Sequence, residues 1–303
     1  MKKVIVIVGP TASGKTSLSI ELAKRTNGEI VSADSMQIYQ EMNIGTAKPT
    51  QEEMQGIPHH LLDFVSPEER FSVSDYKILA ETKISEIIQR DHQPIVVGGT
   101  GLYINSLIYG IAYPNMKYDE AYRQSLEKIA KEKGNLYLYE KAKKIDEQAM
   151  QRISVNDTKR IIRVFEIYHA TGKTKTQIEC ESRKNKPPFS YVIYGLYFDR
   201  AELYDRINQR VDQMMEQGLV EEVKQIQEKY QKFPTAMQAI GYKEVVDYLE
   251  GNCTKEEMVE KIKMETRRYA KRQMTWFRKT QEIQWIDGNQ SMEEKLSIIL
   301  EEK

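Results

Sequence analysis

The chain has 303 residues, 40% hydrophobic and 30% charged, and its 45 lysines and arginines balance 45 aspartates and glutamates. This length allows about two domains, and the charge balance excludes a uniformly basic protein although it permits one basic face. The apolar run near Met1 is too short for a signal peptide, and no segment approaches the roughly 20 apolar residues of a membrane span. We therefore expect a cytoplasmic protein without membrane contact, in which Cys180 and Cys253 are reduced thiols.

The N-terminal third of the chain predicts an α/β fold. Residues 4–8 are a continuous β-branched run, which is typical of a strand buried on both faces. Further strands are predicted at 29–33 and 94–97, and helices at about 15–25 and 74–90. Because strands that alternate with helices build parallel sheets, we expect a parallel sheet flanked by helices.

The middle of the chain predicts an all-helical domain inserted into this core. Its apolar residues recur at helical spacing, and no convincing strand appears until residues 191–198. The predicted insertion comprises residues 113–198. The predicted core then comprises residues 1–112 and 199–303.

The motif G-x-x-x-x-G-K-[ST] lies between the first predicted strand and helix. It consists of Gly9, Pro10, Thr11, Ala12, Ser13, Gly14, Lys15 and Thr16. Backbone N–H groups of such a P-loop, together with the helix N-terminus, bind phosphate oxygens. Lys15 would neutralise phosphate charge and Thr16 would help to hold Mg²⁺. The motif therefore predicts binding of a diphosphate or triphosphate, and the lack of an apolar run ending in Asp-Glu disfavours a hydrolytic ATPase.

Three more residues are candidates for chemistry beside the P-loop. Asp34 follows the second predicted strand and Thr100 follows the third, and the carboxyl ends of parallel strands meet at one sheet edge. Asp34 could bind Mg²⁺ through water, accept a proton, or cap a turn. Thr100 offers a hydroxyl or belongs to a simple turn. Arg210 shares a helix face with Arg206 and could bind pyrophosphate, or it is a solvated surface arginine.

Two basic stretches are candidates for RNA binding. The chain is predicted to end in long charged helices at about 200–230 and 254–279, and residues 260–279 carry eight cations against two glutamates, a net charge of +6. A second basic helix begins at residues 156–163. Positive charge interleaved with aromatic rings suits single-stranded RNA. The alternative for each stretch is a solvated helix whose aromatic residues belong to the core.

The chain carries further short motifs in a fixed order besides the P-loop. They are DSMQIY at 34–39, GTAKP at 45–49, PHHLLD at 58–63, GGT at 98–100, GKT at 172–174, GY at 241–242 and TRRYAKRQ at 266–273. From about Val4 to Trp285, this series resembles the bacterial tRNA dimethylallyltransferase family.

The resemblance implies a reaction that the residues alone do not name. Members of the family transfer a dimethylallyl group from dimethylallyl diphosphate to N6 of adenine 37, beside the anticodon of tRNA. The P-loop would then hold the diphosphate leaving group instead of ATP, with Mg²⁺ as cofactor. The resemblance makes Asp34 the general base, and it makes Thr100, Arg210 and Lys15 catalytic residues at the diphosphate.

The resemblance also implies the contacts with tRNA. They are Asp34, Ser35, Met36, Gln37, Thr100, Arg123, Asp157, Thr158, Lys159, Arg160, Ile161, Gln238, Ala239, Ile240, Gly241, Tyr242, Lys243, Thr266, Arg267, Arg268, Tyr269, Ala270, Lys271, Arg272 and Gln273. The expected partners are the anticodon stem-loop of tRNA and dimethylallyl diphosphate, and the expected state is a monomer.

Three other functions compete with this one. A P-loop kinase of a small metabolite would need ATP and would not need the basic helix. An adenylate prenyltransferase would use a free nucleotide as acceptor and would leave the second basic stretch without a purpose. A nucleotide-dependent RNA-binding protein would bind RNA without catalysis.

Overall fold

The computed structural model describes residues 3–113, 119–182 and 186–301. Its strands are β1 (Val4–Val8), β2 (Gly28–Ser32), β3 (His59–His60), β4 (Gln93–Gly98), β5 (Tyr191–Tyr197) and β6 (Ile283–Asp287). They form one sheet in the order β3-β2-β4-β1-β5-β6, and every neighbouring pair is parallel. The predicted α/β class with a parallel sheet is therefore confirmed.

The described residues also form fourteen α-helices. They are α1 (Lys15–Thr26), α2 (Gln51–Met54), α3 (Val73–Gln89), α4 (Gly101–Ile108), α5 (Glu120–Lys133), α6 (Asn135–Ile145), α7 (Glu147–Met150), α8 (Thr158–Thr171), α9 (Lys175–Ser182), α10 (Arg200–Glu216), α11 (Leu219–Lys229), α12 (Tyr242–Leu249), α13 (Lys255–Phe277) and α14 (Met292–Glu301). Across the described ranges, no helix is both long and apolar enough to cross a bilayer.

The centre of the sheet explains where the P-loop lies. All five residues of β1 are buried, as the β-branched run predicts. β1 pairs with β4 on one side and with β5 on the other, so Val8 lies opposite Gly98 and Gly195. Because these strands are parallel, the segments that follow β1, β2 and β4 leave the sheet at the same edge. That edge carries the P-loop, Asp34 and Thr100.

The chain divides into two compact units, Met1–Ile108 with Phe189–Lys303, and Tyr109–Pro188. The second unit, taken by itself, contains α5 to α9 around a core that includes Leu126, Leu138 and Ile161. The expected insertion of residues 113–198 included the strand that precedes residue 199. This boundary is wrong, because β5 pairs with β1 and β6 and is therefore an inner strand of the core sheet.

Two further details differ from the sequence-based expectation. β3 and β6 were not predicted, since β3 has two residues and β6 is a short strand of mixed burial. The long helix expected at about 200–230 is two helices. Gly218 adopts a left-handed conformation with φ 96°, which separates the end of α10 from the start of α11.

Candidate active site

The P-loop has the backbone geometry of a phosphate site. Ala12 (φ 62°) and Gly14 (φ 78°) are both left-handed, and such turns direct successive N–H groups into one concavity. A Cβ on Gly9 would lie 3.0 Å from Ser13 Oγ and 3.1 Å from the Leu196 carbonyl oxygen, so the loop needs a glycine there. The concavity lies at the N-terminus of α1, whose dipole favours an anion.

Side chains from two helices hold the first half of the P-loop. The Thr11 N–H donates to Gln273 Oε1 of α13 at 2.9 Å. Arg206 Nε of α10 donates to the Ala12 carbonyl oxygen at 3.0 Å, and its guanidinium lies 4.6 Å from the centre of the Phe198 ring. The loop conformation therefore depends on residues about 190 and 260 positions further along the chain.

Lys15 lies half-buried inside the loop and donates from Nζ to the Pro10 carbonyl oxygen at 2.6 Å. Burial and the positive charge of Arg210 lower the pKa of Lys15 to about 7, although the Asp34 carboxylate opposes this shift. Burial likewise lowers the pKa of Arg210, and Asp34 again acts in the opposite direction. Lys15, Arg210 and Asp34 therefore lie close enough for each charge to affect the others.

Asp34 and Thr100 are tied together through the turn after β2. Asp34 Oδ1 accepts hydrogen bonds from the N–H groups of Met36 at 2.8 Å and Gln37 at 3.3 Å. The Ser35 N–H donates to Thr100 Oγ1 at 3.0 Å, and the Thr100 hydroxyl donates to Ser35 Oγ at 3.2 Å. One Asp34 oxygen thus caps a turn, which is one of the three roles that the sequence predicts for this residue. The structure thus brings Lys15, Asp34 and Thr100 to one sheet edge, and Arg210 of α10 lies close enough to interact with the charges of Lys15 and Asp34.

The residues beside the P-loop offer few ligands for a metal. Thr16 is exposed at the start of α1, and its hydroxyl is a suitable oxygen ligand. The described parts of the chain contain no group of three or more His, Cys, Asp or Glu side chains arranged for a metal ion. Mg²⁺ commonly takes one or two protein oxygens and completes its shell with substrate phosphates and water. The donor set therefore fits Mg²⁺ bound together with a diphosphate and does not fit a metal held by protein alone.

The charge of the basic stretch in α13 is unevenly distributed. In its first half, Lys261 pairs with Asp247 at 2.8 Å, Lys263 with Asp212 at 2.7 Å and Arg268 with Glu265 at 2.6 Å. Beyond Arg268, the exposed cations are Lys271, Arg272, Arg278 and Lys279, and none of them forms an ion pair with a carboxylate of a described residue. The cations available for phosphate thus lie in and just after the last turns of α13.

The opposite face of α13 points into the protein. Ala270 and Gln273 are buried, and the half-buried Tyr269 has its pKa raised by burial and by the nearby Asp34 charge. A Cβ on Gly101 would lie 2.3 Å from the Trp276 ring, so this indole packs directly against the start of α4. One helix therefore presents cations to solvent and completes the pocket with its other face.

The segment around residue 241 is held by two buried carboxylates. Glu222 accepts hydrogen bonds from the N–H groups of Asn43, Ile44 and Gly45, at 2.9, 2.7 and 3.2 Å, and from the Tyr242 hydroxyl. Glu244 Oε2 accepts the Gly241 N–H at 2.8 Å. A Cβ on Gly45 would lie 2.4 Å from the Tyr242 ring. These contacts fix the loop that contains Gly45 against α11 and α12.

Several predicted tRNA contacts are core residues. The side chains of Ile161, Ala239, Tyr242, Ala270 and Gln273 are all at most 6% exposed. The structure therefore does not offer these side chains to RNA. Half-buried or exposed positions remain at Ser35, Met36, Gln37, Thr100, Gln238, Ile240, Lys243, Thr266, Arg267, Arg268, Tyr269, Lys271 and Arg272.

In the helical unit, the predicted contacts lie at the start of α8. Asp157 caps this helix by accepting the Arg160 N–H at 3.1 Å, and Lys159 is exposed. The start of α8, with Ser154 and Asn156, lines a surface depression of about 550 Å³. Arg123 instead pairs with Glu127 and Glu166 at 3.0 and 2.9 Å, which reduces the charge it can offer to a phosphate.

The hydrogen bonds that join Arg206 and Gln273 to the P-loop were not predicted from the sequence. Arg206 precedes Arg210 by four residues on α10, and Tyr269 precedes Gln273 by four on α13. Residues four apart share a helix face, so this spacing could have indicated that both members of each pair face the site.

The fold and the loop define the class of this protein as a P-loop α/β protein with a helical unit inserted between α4 and β5. The IPP transferase family profile matches residues 37–280. A tRNA dimethylallyltransferase from Acetivibrio thermocellus is 54% identical over 291 residues, which are 96% of this chain and 93% of that protein. A second relative of the same name, from Carboxydothermus hydrogenoformans, is 49% identical over 296 residues, with 98% and 95% covered.

Solved structures agree with these relatives. The tRNA isopentenylpyrophosphate transferase of Bacillus halodurans is 45% identical and superposes with a TM-score of 0.73, covering 99% of this chain and 94% of the other. A eukaryotic dimethylallyltransferase acting on tRNA is 33% identical with a TM-score of 0.78, covering 95% of this chain and 74% of the other. The chain belongs to the IPP transferase family, to which the resemblance in the sequence pointed.

Proposed function

We propose that this chain transfers the dimethylallyl group of dimethylallyl diphosphate to N6 of adenosine 37 in the anticodon stem-loop of tRNA and releases diphosphate. The names of its relatives support the substrate and the reaction. One structural observation carries the proposal. The P-loop, Lys15, Asp34 and Thr100 lie at one sheet edge, with the charge of Arg210 and the buried face of the basic helix α13 beside them.

The reaction breaks the bond between the allylic carbon and the diphosphate oxygen. Negative charge then builds up on the leaving diphosphate. The P-loop N–H groups, the α1 dipole and the cations of Lys15 and Arg210 are all fixed before the reaction, so they can stabilise this charge without reorganising. A preorganised anion site is what a diphosphate leaving group requires.

The same step forms the bond between adenine N6 and the allylic carbon. The amine is a poor nucleophile, and it must leave the base stack to reach the pocket, so we expect the base to be flipped. N6 gains positive charge as the bond forms and must lose a proton. Asp34 is the carboxylate beside the two phosphate-binding cations, and we assign it the acceptance of that proton.

Mg²⁺ would be held by Thr16 and by oxygens of the bound diphosphate, and when bound it would offset the charge of the leaving group. The RNA backbone would lie along the exposed cations of α13, where Lys271 and Arg272 make no ion pair with a described residue. Both cysteines are free thiols, which supports a reducing cytoplasmic compartment.

A direct test is mass spectrometry of nucleosides from unmodified tRNA after incubation with the protein, Mg²⁺ and dimethylallyl diphosphate. We expect one adenosine to gain a dimethylallyl group, and an anticodon-loop fragment to carry it. AMP as acceptor tests the adenylate prenyltransferase, and ATP with small metabolites tests the kinase. Modified AMP with unmodified tRNA, or phosphate transfer from ATP, would replace the proposal by the corresponding alternative.

A further inference from the structure

The buried amide of Gln273 connects two parts of the site. Its Oε1 accepts the Thr11 N–H of the P-loop at 2.9 Å, and its Nε2 donates to the Gly99 carbonyl oxygen after β4 at 2.9 Å. The side chain is 5% exposed. A Cβ on Gly99 would lie 2.2 Å from Nε2, so a larger residue at that position would displace the amide. Both ends of the amide are therefore used inside the protein.

We infer that Gln273 is a positioning residue that holds the P-loop in its diphosphate-binding conformation and is not a tRNA contact. This inference rests on the proposed function, because it takes a diphosphate to be the ligand of the loop. The chemistry explains the residue type. Thr11 presents a donor and Gly99 presents an acceptor, and a carboxamide on a side chain of this length supplies one acceptor and one donor together.

The bond to Thr11 divides the loop into two halves. The Thr11 N–H donates to Gln273 and the Ala12 carbonyl oxygen accepts from Arg206, so the peptide groups that precede Thr11 and follow Ala12 are held by α13 and α10. Ala12 can then keep its left-handed conformation, which is unfavourable for a residue with a Cβ. The N–H groups of Gly14, Lys15 and Thr16 remain to bind phosphate at the start of α1.

The position of Gln273 on α13 separates it from the RNA surface. Lys271 and Arg272 are exposed, whereas Gln273 lies on the buried face with Ala270. Substitution of Gln273 should therefore affect the donor diphosphate and leave tRNA affinity nearly unchanged. Substitution of Lys271 should have the opposite effect, which makes Lys271→Ala the matched control on the same helix.

The experiment compares Gln273→Met, Gln273→Glu and Lys271→Ala with the wild-type chain. Calorimetric titration with dimethylallyl diphosphate and Mg²⁺ should show about tenfold weaker donor binding for Gln273→Met, since leaving two buried groups unpaired is costly. Its tRNA affinity should stay within about twofold of the wild-type value, because the lost hydrogen bonds involve no RNA contact. Donor binding at wild-type strength, or a loss confined to tRNA, would overturn the inference.

Amide hydrogen exchange in the peptide that covers residues 9–16 gives a readout that needs no substrate. Exchange should be about tenfold faster in Gln273→Met, because the loop loses its link to α13. Gln273→Glu keeps the acceptor for Thr11, so its exchange should remain nearer the wild-type rate while its added negative charge weakens diphosphate binding. Unchanged exchange in Gln273→Met overturns the inference. A wild-type chain that does not bind dimethylallyl diphosphate instead overturns the proposed function.

Discussion

Donor binding should depend on pH through Lys15. The pKa of this lysine is lowered to about 7 by burial and by Arg210, so a large fraction of Lys15 is neutral just above neutral pH. A bound diphosphate would place negative charge beside Nζ and would raise the pKa again. Binding therefore takes up a proton above pH 7, and donor affinity should fall as the pH rises.

The size of the effect follows from the pKa. If the complex keeps Lys15 charged, affinity at pH 9 should be about 100-fold below its low-pH limit, since each pH unit above the pKa costs about tenfold. A phosphate with a pKa of about 6 is already ionised in this window, so the ligand itself contributes little. Titration calorimetry with dimethylallyl diphosphate between about pH 6.5 and 9 measures the curve directly.

The variant Lys15→Met provides the control. It has no titrating group at this position, so its affinity should be low and nearly independent of pH, and the wild-type curve should approach it at high pH. The free energy of unfolding of the unliganded protein should change with pH in the direction opposite to the donor affinity. The unfolded chain binds more protons between the folded pKa of about 7 and the ordinary value of 10.5, so the Lys15 contribution to stability rises with pH there. A flat wild-type affinity curve would refute the role of Lys15 as the titrating cation of the diphosphate site.

Three more predictions concern other parts of the core. Asp34→Asn should lower the single-turnover rate by roughly 10²-fold, the usual scale for a lost acid–base group, and a normal chemical step with weak diphosphate binding would make Asp34 a metal ligand instead. Replacing Lys271 and Arg272 by alanine should weaken tRNA binding and reduce its salt dependence in filter-binding assays. Alanine at Lys261, which is paired with Asp247, should have little effect on tRNA binding. An equal loss of tRNA affinity in the two variants would contradict a specific RNA surface at Lys271 and Arg272. Burial raises the pKa of Glu29, but hydrogen bonds from Arg90, His60 and His92 have the larger effect and lower this pKa to about 2. The Glu29 carboxylate therefore stabilises the fold above about pH 4.5, and this contribution is lost as the pH falls towards 2. Glu29→Gln should therefore be less stable at neutral pH, by on the order of 3 kcal/mol in urea unfolding, and an unchanged midpoint would contradict the assignment.

Features encoded by neighbouring residues were predictable from the sequence. The buried run of β1 and the P-loop motif each lie within a few consecutive residues, and α13 begins at a Thr254–Glu257 capping box. β5 was recognised as a strand but placed in the wrong domain. Its membership in the core sheet depends on pairing with β1, which lies almost 190 residues earlier in the chain. Such pairing leaves no local pattern.

The candidate site shows the same division. The sequence alone predicts that Lys15, Asp34 and Thr100 lie together, because each follows a strand of a parallel sheet and the carboxyl ends of such strands lie at the same edge. The burial of Tyr242 and Gln273 could not be anticipated from a shared motif, since a motif is the same whether its residues touch a substrate or pack beneath it. Helix periodicity gives relative faces on α13, but only the packing of α13 against β4 and the P-loop decides which face is inside.

The contact between Gly45 and the Tyr242 ring restricts how this chain can diverge. A side chain at position 45 and the ring at position 242 would occupy the same space, and the Glu222 carboxylate ties both residues to α11. A larger residue at 45 therefore requires a smaller one at 242, which would also remove the hydroxyl bound to Glu222. Across related chains, these three positions should covary as a unit, although Gly45 and Tyr242 are separated by nearly 200 residues of sequence.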